Sequence, residues 1–81
     1  MEPFIEVMGL LDELINDFAV SKSVKRTMTE VNQILNDECE LRIRCDRAIQ
    51  SIGMAEDPNV DPFTKTRIWS LLSMLESLAS L

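Results

Sequence analysis

The apolar positions of this chain recur at helical spacing almost from end to end. Phe4, Met8, Leu11, Ile15 and Phe18 step by four and three residues, one face of a helix, with Ile5 and Leu14 widening the stripe. Pro3 suits the first turn of that helix, where its missing N–H would have had no partner. The segment Ala19-Val20-Ser21-Lys22 breaks the pattern, and Ser21 or Ser23 can cap a second helix by accepting from the free amides of its first turn. Val24, Met28, Val31 and Leu35 form the second stripe, ended by Asn36-Asp37. A third helix is predicted from near Asp37 or Glu38, with Leu41, Cys45, Ala48 and Ile52 as its stripe and Ile49 alongside. Glu38–Arg42 and Glu40–Arg44 are acid-first pairs four residues apart, the favourable order on a helix. Asp57-Pro58 stops it, because the residue before proline is pushed out of the helical region. Asp61-Pro62 is the clearest start signal: a strong N-cap followed by proline at the first helical position.

The last helix is unusual. Ile68, Leu71, Leu72, Met74, Leu75, Leu78, Ala79 and Leu81, with Trp69 at the edge, cover more of its circumference than one surface helix needs. Either this helix sits centrally among the other three, or part of it is an oligomer interface. No stretch alternates with the period of a strand. The expected fold is therefore all-α, a compact four-helix bundle of two helix hairpins in a single domain spanning residues 1–81.

A shift of 40 residues aligns Asp17 with Asp57, Val20 with Val60, Lys25 with Lys65 and Leu35 with Leu75. Met28 and Ile68, Val31 and Leu71, and Ile34 and Met74 then match in character. Two helices per unit at this period resemble a HEAT-type repeat, and two such units should close on each other as a bundle. In each loop, Asp would bond the turn backbone and Val would plug the gap between helix ends.

Composition narrows the chemistry. The 81 residues carry 8 Lys and Arg against 14 Asp and Glu, a formal charge of -6, and contain no His. Without imidazole there is no serine or cysteine triad and no His-ligated metal. Gly9 and Gly53 are the only glycines, and neither sits in a phosphate loop. Asp57, Asn59 and Asp61 alternate like the start of a calcium loop, but the required glycine is absent. Cys39 and Cys45, six apart on one predicted helix, would lie about 9 Å apart, too far for a disulfide. They read as two buried or half-buried thiols. The chain starts without a basic and apolar leader and has no apolar run near the roughly 20 residues of a membrane span. A cytoplasmic protein with no membrane association is expected.

No catalytic residue, cofactor site or metal site is expected, and the chain is read as not an enzyme. The acids concentrate in the first 20 residues. The bases cluster at two helix starts, Lys22, Lys25 and Arg26 in one and Lys65 and Arg67 in the other. Positive charge there opposes the helix dipole. These residues either pair with Asp17, Asp57 and Asp61 in the neighbouring loops or form an anion site with free amides. With Trp69 they are the candidate interaction residues. The expected role is a scaffold or adaptor that binds a protein partner or a second copy of itself through a helical face. The alternative is an accessory protein that binds nucleic acid or another anion at the basic helix starts, although the four aromatic residues fall mostly on core-like positions.

The string Asp57-Pro58-Asn59-Val60, followed by Arg67-Ile68-Trp69, Ser73 and Leu75-Glu76, resembles the archaeal uncharacterised protein family 0147. The first half agrees through Asp17-x-x-Val20 with Lys25-Arg26, and through Arg42 with Ala48-Ile49. The chain departs from the family's pattern at Ser21 and at Asp61 before Pro62. The resemblance implies a helical bundle and an archaeal cytoplasmic protein. It implies no activity, cofactor or catalytic residue.

Overall fold

The computed structural model describes residues 3–54 and 60–81. Four helices follow one another: α1 (Pro3–Asn16), α2 (Lys22–Leu35), α3 (Leu41–Met54) and α4 (Pro62–Ala79), with no strand among the described residues. Each packs on its neighbour in sequence, and α1 closes the ring against α4. The diagonal pairs, α1 with α3 and α2 with α4, make no backbone-close contact. The result is an all-α bundle around one apolar core.

The α2 stripe enters the core as its spacing predicts: Val24, Met28, Val31 and Leu35 are all buried. Ser21 is the N-cap, its Oγ accepting from the Val24 amide at 3.3 Å. Ser21→Ala should therefore lower stability by about 1 kcal/mol, read as a lower urea midpoint at unchanged slope. Val20 is buried between the ends of α1 and α2. The turn before it is held by Asp17, whose Oδ1 accepts from the Ala19 amide at 2.9 Å and whose carbonyl accepts from Val20 at 3.1 Å.

Three expectations about register and extent are corrected. In α1 the buried residues are Val7, Leu11 and Leu14; Phe4, Met8 and Ile15 are only half-buried and Ile5 is exposed. Phe18 lies beyond the end of the helix, in the turn, and is fully exposed. The third helix begins at Leu41 rather than near Asp37, because Asp37 is used in the turn. Its amide donates to the Ile34 carbonyl and its Oδ1 accepts from the Glu38 amide. Glu38 is thus outside the helix, and Arg44 turns from Glu40 to donate to the Leu35 carbonyl at 2.6 Å. Cys39 sits in this turn, exposed, whereas Cys45 is buried in α3 with Ala48 and Ile52. Burial pushes the Cys45 thiol up from its ordinary value.

The fourth helix is not central. It touches α1 and α3 and leaves its outer side to solvent. Leu71, Leu75 and Leu78 point into the core, joined by Thr64 and Arg67. Asp61 caps it, Oδ2 accepting from the Thr64 amide at 3.1 Å and Oδ1 from the Thr64 hydroxyl at 2.6 Å. These bonds hold the Asp61 carboxyl below the usual range. The 40-residue shift superposes the caps Ser21 and Asp61 and the buried pairs Val24/Thr64, Val31/Leu71 and Leu35/Leu75. The helices before them, starting at Pro3 and Leu41, keep a shift of 38, because the second linker is two residues longer.

Candidate functional site

The starts of α2 and α4 and the end of α1 meet at one end of the bundle. Arg67, in the second turn of α4, ties them together. Its Nη2 donates to Asp17 Oδ2 at 2.9 Å and its Nη1 to Glu13 Oε1 at 3.5 Å. The Arg67 side chain is only 9% exposed, while Glu13 and Asp17 keep 59% and 27% exposure, so the pair lies across a boundary between core and water. Its Nε is buried without a hydrogen-bond partner. The guanidinium also lies 4.4 Å from the Phe63 ring centroid. The Ala19 amide and then Arg67 hold the Asp17 carboxyl below its ordinary value.

The other candidate residues divide between two neighbouring surfaces. Lys22 and Arg26 are exposed on α2, and Lys25 is half-buried with its Nζ 5.8 Å from the Phe18 ring. On α4, Lys65 is exposed with its Nζ 5.9 Å from the Trp69 ring. Trp69 itself is 61% exposed and Phe63 66%. Three aromatic rings at this end thus stand in solvent, each beside a cation. Of the candidates, Arg67 alone is buried and ion-paired. The pairing of the bases with loop carboxylates is therefore realised at Asp17, while Asp61 serves the Thr64 cap. Asp57 and Asn59, and with them the calcium-like spacing, lie outside the described residues.

Phe18 and Phe63 were expected among core-like positions, and both belong to the surface. The signals for this are local. Phe18 follows the Asp that forms the turn, and Phe63 follows the cap and proline of α4, where the side chain precedes the first core-facing turn. At the opposite end, Arg44 sits 5.7 Å from the Phe4 ring and bonds the last carbonyl of α2, a structural role. A shallow groove of about 460 Å³ between α2 and α3, lined by Glu30, Ile34, Arg47, Gln50, Ser51 and Met54, opens broadly to solvent. Among the described residues no cluster of three His, Cys, Asp or Glu could hold a metal ion. No helix among them is long and apolar enough to cross a membrane.

These features can be set beside known proteins. The chain is 40% identical over 78 residues to a UPF0147 protein of Thermoplasma volcanium, covering 94% of this chain and 88% of that protein. A UPF0147 protein of Methanosarcina acetivorans is 33% identical over 75 residues, covering 90% and 77%. One from Archaeoglobus fulgidus is 32% identical over 75 residues, covering 91% and 86%. No solved structure gives a significant match. The family model described as "Uncharacterised protein family (UPF0147)" matches residues 1–78, and the chain belongs to that family.

Proposed function

We propose that this protein is a non-enzymatic, cytoplasmic interaction module, a scaffold or adaptor that binds another protein chain through the outward side of α4 and the adjoining helix starts. The observation that carries the reading is the exposure of Phe63 and Trp69 on one helix beside Arg67 and Lys65. Aromatic residues and arginine dominate the energetics of protein interfaces, because they bury large areas at low entropic cost. The HEAT-type pairing of the two hairpins belongs to the same reading, since repeat folds of that kind work as binding surfaces.

The test is capture from native lysate with the tagged full chain, run beside Trp69→Ala. Trp69 is far from the core, so the variant should fold with unchanged helical circular dichroism. The expected result is one or more proteins retained by the wild type and lost by the variant. Identical captured sets would count against α4 as the binding side.

A second reading is favoured by Lys22, Lys25 and Arg26 standing beside the fully exposed Phe18. Cations next to a free ring are the parts of a single-strand stacking platform. Filter binding of single-stranded RNA at low and moderate salt decides it. Binding that weakens steeply with salt supports this reading, and absence of binding at low salt ends it.

A further inference from the structure

The outward side of α4 carries a self-complementary line of residues. Lys65, Trp69, Leu72 and Glu76 follow one another at steps of four, three and four, which keeps them on one strip of the helix. Lys65 and Glu76 are exposed, Trp69 is 61% exposed and Leu72 is half-buried. Charge lies at both ends of the strip, with opposite signs, and the two large apolar residues lie between. When two identical helices pack antiparallel, facing residues have numbers of constant sum. The register that sets Lys65 against Glu76 of a second copy therefore also sets Trp69 against Leu72. Both opposite-charge pairs and both apolar pairs form at once, as a two-fold axis requires.

We infer that this strip is a homodimer interface, in which α4 packs antiparallel on α4 of a second copy of the chain. The inference rests on the reading of α4's outward side as a protein-binding surface and names the partner. Charge complementarity selects a second copy. The net charge of -6 disfavours self-association in general, yet this strip is neutral, its Lys and Glu cancelling. The flanking exposed positions Thr66, Ser70, Ser73 and Ser77 are small and uncharged, so they add no like-charge repulsion and allow close helix approach. A parallel pairing would instead bring Lys65 to Lys65 and Glu76 to Glu76. One helix face roughly 27 Å long falls short of the ~800 Å² per partner of a standard interface, so the dimer is a weak one, with a dissociation constant on the order of tens of micromolar.

Sedimentation equilibrium of the full chain, from low micromolar to about 0.5 mM, tests this. A reversible monomer–dimer equilibrium is expected. The emission of Trp69, the only tryptophan, should shift to the blue as the dimer fills. Lys65→Glu and Glu76→Lys change exposed side chains and should keep the helical circular dichroism. Each variant alone should dimerise about tenfold more weakly or worse, through two like-charge contacts. Mixed in equal amounts, the two should form a heterodimer, because every facing pair is again Lys with Glu. The double variant Lys65→Glu/Glu76→Lys should likewise recover wild-type association.

A wild-type chain that stays monomeric at the highest concentration overturns the inference. So does a mixture of the two single variants that associates no better than either alone. A monomeric wild type whose Trp69→Ala variant still loses captured proteins would remove the homodimer and leave the adaptor reading standing. Unchanged capture would remove the adaptor reading instead.

Discussion

Leu71→Ala is expected to lower the unfolding free energy by about 3 kcal/mol, the middle of the range for a buried leucine truncated in a packed core. Leu71 is fully buried on the side of α4 that faces the core, and α4 meets both α1 and α3. The loss combines the transfer free energy of the removed carbons with that of the cavity left behind, since three helices must move together to fill it. A chain of this length has a total stability of roughly 4–12 kcal/mol, so the variant should be partly unfolded at modest urea concentrations. The measurement is a urea titration followed by circular dichroism. A loss below about 1 kcal/mol would mean that the core tolerates collapse at this position. Leu81→Ala is the control: that side chain is 88% exposed, and its removal should stay within about 0.5 kcal/mol.

Arg67→Ala should cost about 2 kcal/mol, mostly by removing a long buried stem and its stacking on Phe63 rather than by removing charge. The distinction is testable. Arg67→Met keeps the stem, discards a guanidinium whose Nε has no partner, and leaves Glu13 and Asp17 in contact with water. It should cost less than about 1 kcal/mol. The double variant Glu13→Gln/Asp17→Asn does the opposite, stranding a buried cation, and should be the more damaging of the two. Stability should also fall in acid. The folded-state carboxyl of Asp17 is held low by the Ala19 amide and Arg67, so its contribution is complete above the unfolded-state carboxylate range, about pH 4. It is lost as pH falls through the lower folded-state value. Arg67→Met should flatten this dependence without abolishing it, because the Ala19 bond remains. Equal acid sensitivity in wild type and variant would remove Arg67 from the explanation.

The readability of each element followed from how sharply its sequence separated two faces. In α2, polar residues fill every position between Val24, Met28, Val31 and Leu35 except Ile34, so one phase of the helix was possible and all four proved buried. In α1, Val7, Met8, Leu10, Leu11, Leu14 and Ile15 leave two overlapping apolar stripes. Spacing alone cannot say which of them other helices will cover. The cap chemistry of Ser21 and Asp61 was visible because a side-chain oxygen followed by a helical run leaves few alternatives. Asp37 misled for the same reason: its oxygen serves the turn, which delays α3 to Leu41. The wide apolar surface of α4 left two explanations open, and its place at the rim of the ring excludes centrality. The ion pair of Arg67 with Asp17 was readable as a tendency, because base and acid cluster at neighbouring loops. Burial of Arg67 was not, since it depends on where α1 ends in space.

The cyclic order of the helices has a consequence for how the chain assembles and opens. The α1–α2 and α2–α3 contacts each require closing only a five-residue turn, whereas the α1–α4 seam joins segments about fifty residues apart, as the Arg67–Asp17 bond shows. Closure entropy grows with the logarithm of the loop, so the short hairpins can form early and the seam is the late, costly step. Along that seam the native state should also breathe first: amides of α1 should exchange through partial opening while those of α2 and α3 wait for global unfolding.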